Sequence, residues 1–142
     1  MAGIAPWVSV EPNKNSAAIL GTLPFRQGSV TFKIPATVVP AGATGILVFA
    51  WVILTAETSP LAYWHFESRA GVRRINWFSM LIAGNPTGTT SNSEAFWLPM
   101  PTDRNLGVTH FANDLTSPKP RGEVEIHGYY PGPARRDRPA RK

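Results

Sequence analysis

The chain has 142 residues, enough for one domain with a real core and too few for two typical domains joined by a linker. Hydrophobic residues make up 43% and charged ones only 16%, with 12 Gly, 14 Pro and no cysteine. This balance suits many short strands and turns, and it excludes disulfides, thiolate metal sites and a cysteine nucleophile. The net charge of +5 is uneven: residues 133–142 (PARRDRPARK) hold five basic side chains against Asp137, a net +4, which leaves residues 1–132 with nine basic and eight acidic side chains, or +1.

The N-terminal stretch MAGIAPWVSVEPNKN lacks the basic n-region and apolar h-region of a secretory leader, so a cytosolic, leaderless or virion protein is expected. Residues 30–34 (VTFKI) follow a two-residue period, with Val30, Phe32 and Ile34 on one side and Thr31 and Lys33 on the other. Residues 46–54 (ILVFAWVIL) form the most apolar run. Its nine residues fall short of the roughly 20 that a membrane-spanning helix needs. Dense in Val, Ile, Phe and Trp and preceded by turn formers, the run predicts a central strand buried on both faces.

Residues 62–69 (AYWHFESR) place Trp64 and Phe66 on one face and Tyr63, His65 and Glu67 on the other. Residues 75–83 (INWFSMLIA) are apolar on both sides, like the central run. The polar stretch GNPTGTTSNS at 84–93 reads as a long loop. It leads into SEAFWLPMPTDR, where Ala95 and Trp97 alternate with Phe96 and Leu98, and Pro99 and Pro101 end normal ladder pairing. Residues 106–111 (LGVTHF) set Leu106, Val108 and His110 against Thr109 and Phe111. Residues 123–130 (EVEIHGYY) set Val124, Ile126 and Tyr130 against Glu123, Glu125, His127 and Tyr129. No segment carries a sustained helical stripe with caps.

Seven to nine strands at roughly regular spacing predict an all-β fold, an antiparallel β-sandwich of jelly-roll type with about eight strands over residues 1–132. Residues 133–142 follow as a disordered basic tail. In size and strand count the layout resembles the compact jelly rolls of the tumour-necrosis-factor and C1q-like families, or of small capsid proteins, a likeness of architecture that does not imply function.

Motifs for catalysis are missing: there is no G-x-S-x-G elbow, no H-E-x-x-H, no phosphate-cradling glycine loop and no dinucleotide fingerprint. The protein is therefore expected not to be an enzyme and to need no cofactor. His65, His110 and His127 lie in separate predicted strands without close ligand spacing, so no metal site is expected.

Five tryptophans are more than the roughly three that a sandwich of this size buries with comfort, because each indole N–H also wants a partner. Phe96 and Leu98 are assigned to the core. Trp97, Met100 and Arg104 are the candidates for a touched surface, on a stiff, proline-held frame, with Trp64 and Tyr129 as further aromatic candidates for ligand or interface contact. Arg135, Arg136, Arg138, Arg141 and Lys142 are candidates for phosphate contact.

Two functions follow. The first is a non-catalytic recognition and assembly module, a homo-oligomer of three or more subunits with a lectin-like glycan site on aromatic residues and loops. The alternative is a small virion coat or decoration protein whose basic tail contacts nucleic acid.

Overall fold

A computed structural model describes residues 6–132. Among them nine strands form two antiparallel sheets packed face to face. The strands are β1 (Val8–Ser9), β2 (Ile19–Thr22), β3 (Gly28–Lys33), β4 (Gly45–Thr55), β5 (Leu61–Ala70), β6 (Arg73–Ala83), β7 (Thr89–Pro99), β8 (Asn105–Ala112) and β9 (Arg121–Tyr130). A single 3₁₀ turn, Ser16–Ala18, precedes β2, with the Asn15 side chain capping it by accepting from the Ala17 N–H. No helix among the described residues is long and apolar enough to cross a membrane.

The first sheet has the order β1-β9-β4-β7, with β2 following β1 along the same edge of β9; the second has the order β3-β8-β5-β6. From β2 onward every connection crosses between the sheets except the β5–β6 hairpin. That alternation is the winding of a jelly roll. The hairpin turns on Gly71 and Val72, with a positive φ of 63° at Gly71 alone, a conformation that glycine adopts without steric cost.

Between the sheets lies one core. Val48, Ala50 and Val52 of β4 and Val124 and Ile126 of β9 face Trp64 and Phe66 of β5, Met80 of β6 and Val108 of β8. Phe96 and Leu98 of β7 join them, as the alternation in SEAFWLP predicts.

The polar stretch 84–93 is shorter as a loop than its composition predicts. Residues 89–93 (TTSNS) already belong to β7 and pair with Thr55 through Trp51 of β4, so tertiary pairing outweighs the weak β-propensity of Ser and Asn. Pro99 also remains in the ladder, opposite Gly45; because β7 is an edge strand, its missing N–H costs no bond on the open side.

Candidate functional site

β4 was expected to be covered on both faces, and only one face is. Ile46, Val48, Ala50, Val52 and Leu54 are buried, while Leu47, Phe49, Trp51 and Ile53 stand half-buried on the outside of the first sheet. A two-layer sandwich supplies no third layer over that row. The strand's second apolar face is therefore a surface.

Around this row β7 and β9 add aromatic neighbours. Trp97 lies opposite Leu47 in the ladder, with Ala95 opposite Phe49 and Ser93 opposite Trp51. On the other side, the β9 register slips by one residue between Leu47 and Val48, a β-bulge that leaves His127 without a ladder partner. The bulge reverses the alternation beyond it. Tyr129 pairs with inward-facing Ile46 and packs beside the core, and Tyr130 turns out to meet the Trp97 ring at 4.7 Å, the opposite of the unbroken alternation in EVEIHGYY. Trp7, just ahead of β1, lies over Gly128, where a Cβ would stand 2.6 Å from its indole carbons. Trp7, Trp97 and Tyr130 keep 43%, 38% and 36% of their surfaces exposed, too much for core residues.

Polar groups within this face are mostly matched to one another. Glu125 accepts from the Trp51 indole N–H at 3.0 Å and lies 2.8 Å from His127 Nε2, and the His127 ring stacks on Phe49 at 4.6 Å. The Arg121 guanidinium sits 5.8 Å from the Trp51 ring centre. Beside Trp7 a cleft of about 450 Å³ opens between Leu47, His127, Ser9, Glu11 and Lys14.

A second aromatic group occupies the outside of the other sheet. Tyr63 stacks on Phe111 at 5.3 Å, and His65 stacks on Trp77 at 4.8 Å. The neighbouring Glu67 carboxylate is buried, with one oxygen 2.8 Å from Arg69 Nη2 and the other 2.7 Å from Arg74 Nη2. His65 is held below the ordinary histidine pKa by burial first and by the Arg74 charge second, against an opposing pull from Glu67. Because β6 is an edge strand, its outer residues Ile75, Trp77 and Leu81 are open to solvent, although INWFSMLIA reads as apolar on both sides.

At the end of the sandwich formed by the β4–β5 and β8–β9 loops, Glu57 is buried and accepts hydrogen bonds from the N–H groups of Ser59, Thr116 and Ser117 and from the hydroxyls of Thr116 and Ser117. Burial pushes its carboxyl up, but these donors outweigh burial and bring it down to about 2.

The surface candidates from SEAFWLPMPTDR separate in space. Trp97 is on the outer face of the first sheet, whereas Met100 is half-buried against the core. Arg104, at a φ of 63°, donates from Nε to the Ile34 carbonyl at 3.1 Å and from Nη2 to the Val39 carbonyl, so its guanidinium clamps the chain after β3. Trp64 is a core residue and not a contact residue: it is fully buried and donates its indole N–H to the Pro24 carbonyl at 2.7 Å. Tyr129 lines a shallow hollow beside Val8 and Lys14. Arg135, Arg136, Arg138, Arg141 and Lys142 lie outside the described residues.

His65 faces out from the second sheet, His127 out from the first, and His110 lies between them, its ring nitrogens 3.0 Å and 2.8 Å from the carbonyl oxygens of Pro24 and Asn113. No three His, Cys, Asp or Glu side chains cluster in a metal-holding group among the described residues. Leu47, Phe49, Trp51, Trp7 and Tyr130 are surface residues that sequence reasoning missed. The available signal was a central strand apolar at every position in a chain too short for a third layer.

Compared with models of known families and with curated proteins, the chain matches none.

Proposed function

We propose that this protein is a non-catalytic structural subunit that assembles with copies of itself through the outer face of the β1-β9-β4-β7 sheet, as a coat or decoration subunit does. The observation that carries the proposal is that face itself, where Trp7, Trp97, Tyr130, Leu47, Phe49 and Trp51 form one apolar strip over three strands and the segment leading into β1. Covering such a strip is worth about 25 cal/mol per Å² removed from water, and large aromatic residues are the usual anchors of subunit contacts. A second copy of the chain fits as the occupant because the strip has little unpaired charge at its centre. Glu125 is already engaged by Trp51 and His127, and the other charges of β9 on this side, Arg121 and Glu123, carry opposite signs and lie at the Trp51 end of the strip.

Jelly rolls serve as capsid subunits, lectins and cupins, and the fold alone does not choose among them. Two observations favour assembly over glycan binding. A sugar ring needs an open aromatic face, whereas Trp97, the ring at the corner of this surface, is held between Trp7 and Tyr130. The concentration of +4 of the net +5 in residues 133–142 adds a polyanion-binding segment, which suits a coat.

Size-exclusion chromatography with light scattering tests the proposal. A mass of several times the 15.5 kDa chain is expected, as a trimer or larger assembly. A 15.5 kDa monomer persisting at roughly 50 μM, well above the micromolar dissociation constants of weak oligomers, overturns it.

A further inference from the structure

The β5–β6 hairpin and the point where the chain enters its basic C-terminal residues lie at the same end of the sandwich. Thr102 ties the hairpin to the end of β7: its N–H donates to the Arg69 carbonyl and its hydroxyl accepts from Gly71 N–H, each at 3.0 Å, and the Ser68 hydroxyl donates to the Pro99 carbonyl. Pro99 pairs with Gly45, Gly45 pairs with Tyr130, and Thr44 N–H donates to the Tyr130 carbonyl at 3.0 Å. Tyr130, near the end of the described residues, therefore lies at the end of the sandwich where the hairpin carries Arg69, Arg73 and Arg74.

We propose that this end of the molecule is a binding site for single-stranded nucleic acid, in which Arg69, Arg73 and Arg74 take backbone phosphates and the exposed Trp77 takes a base. Three arginines against one glutamate give the hairpin a net +2, in a body of residues 1–132 that totals only +1. Glu67 neutralises one charge and in return fixes the guanidinium groups of Arg69 and Arg74, whose side chains remain 49% and 46% exposed. Ion-pairing to a buried carboxylate orders both groups before a ligand arrives, which lowers the entropy lost on binding. The Arg74 guanidinium lies 5.9 Å from the centre of the Trp77 ring, and that residue is 48% exposed. His65 stacks on one face of the Trp77 ring at 4.8 Å, so a base has the other, solvent-facing side of a ring that is already held in place. A phosphate-binding group and an aromatic ring thus lie within the reach of one nucleotide, the pairing of cation and stacking surface that single-strand binders use. Val72 at the hairpin tip is 96% exposed and places no bulk over the arginines.

The site is complete within one chain, so it stands or falls independently of self-assembly. The test is fluorescence anisotropy of the full-length protein with a labelled oligo-dT of about 20 nucleotides, titrated at several salt concentrations, with inorganic polyphosphate as competitor. Wild type is expected to bind with an affinity that falls as salt rises. Arg73→Glu should weaken binding about tenfold and reduce the slope of log K against log salt by about 0.7, the share of one phosphate on a single strand. Arg73→Ser serves as the milder variant and should keep the reduced slope. Trp77→Ala should weaken binding about tenfold with the slope unchanged, since stacking releases no counterions. Wild-type affinity in both Arg73→Glu and Trp77→Ala overturns the proposal, because residues 133–142 would then account for all binding. So does polyphosphate competing as well as the oligonucleotide while Trp77→Ala has no effect, which would make the hairpin a general anion surface.

Discussion

Trp7 meets Trp97 edge to face, with ring centroids 5.5 Å apart and planes at 79°, and Tyr130 closes on Trp97 from β9 at 4.7 Å. The three rings come from the segment before β1, from β7 and from the end of β9, and the ladder brings them to one corner of the first sheet. Edge-to-face geometry sets the positive rim of one ring against the negative face of the other, worth about 0.5–1.5 kcal/mol beyond the area covered. Each ring nevertheless stays more than a third exposed, so the cluster is ordered without being buried. That combination suits a preformed contact surface, since rings already held by one another lose little freedom when a second subunit covers them.

Replacing Trp97 by alanine should therefore act on assembly more than on folding. A central aromatic anchor is commonly worth about 2 kcal/mol or more at an interface, so the dissociation constant of the oligomer should rise at least about thirtyfold. A 38% exposed ring contributes less to the folded chain, and the Tm should fall by only a few degrees. Light scattering across a dilution series and a thermal melt read the two effects separately. Intact assembly with a Tm lower by more than about 10 °C would return Trp97 to the core.

Gly128→Ala probes how Trp7 is seated. The new Cβ would stand 2.6 Å from two Trp7 ring carbons and 2.9 Å from the Val8 carbonyl oxygen, so the ring and β1 must both shift. Overpacking of this kind costs about 1–3 kcal/mol. Because β1 is two residues long and held only to β9, the shift should release the N-terminal segment while the core stays packed. Faster amide exchange at Val8 and Val10, whose N–H groups face β9, with protection unchanged on β4, is the expected signature.

The strands with one buried face were legible because a two-residue period is a direct imprint of one-sided burial. Trp64 and Phe66, Leu106 and Val108, and Phe96 and Leu98 all face inward as their alternation predicts. Periodicity loses its power where every position is apolar. In residues 46–54 and 75–83 nothing local states which face another layer covers, and in both the second face proved to be surface. The exchange of Tyr129 and Tyr130 was hidden for a different reason: a bulge is a property of the strand pair, and the partner that slips against β9 lies about eighty positions earlier in the chain, at Leu47 and Val48. Trp7 was overlooked because its contacts, Gly128 and Trp97, are set by sheet order, which no short-range pattern records.

Glu57 should make the fold sensitive to acid. Its carboxyl is lowered from 4.5 to about 2, so it binds its proton more readily in the unfolded chain than in the folded one. Its contribution is fully present above about pH 4.5 and is lost as pH falls toward 2, up to about 3 kcal/mol for a shift of that size. Glu57→Gln places an amide NH₂ against N–H donors and should remove most of this contribution at neutral pH. Urea midpoints taken at pH 7, 4.5 and 3 should drop steeply for wild type over the lower two values, and much less for the variant. A parallel decline in the two proteins would assign the acid sensitivity to other carboxylates.

Trp64→Phe is the counterpart of Trp97→Ala, because the two indoles differ in setting far more than in chemistry. Trp64 is fully buried, donates to the Pro24 carbonyl at 2.7 Å, and meets the His110 ring edge to face at 5.2 Å. Phenylalanine keeps an aromatic ring but removes the donor and part of the volume, which together should cost about 2–4 kcal/mol. The Pro24 carbonyl still lies 3.0 Å from His110 Nδ1, a hydrogen bond in the tautomer that carries its proton there, and a loss of this size leaves the variant folded. The denaturant midpoint should therefore move down strongly, while the oligomer's mass and dissociation constant in dilute buffer stay at wild-type values, since no part of Trp64 reaches the outer face. A changed dissociation constant with an unchanged midpoint would mean that the core tryptophan governs assembly, and the division of labour between the two rings would fail.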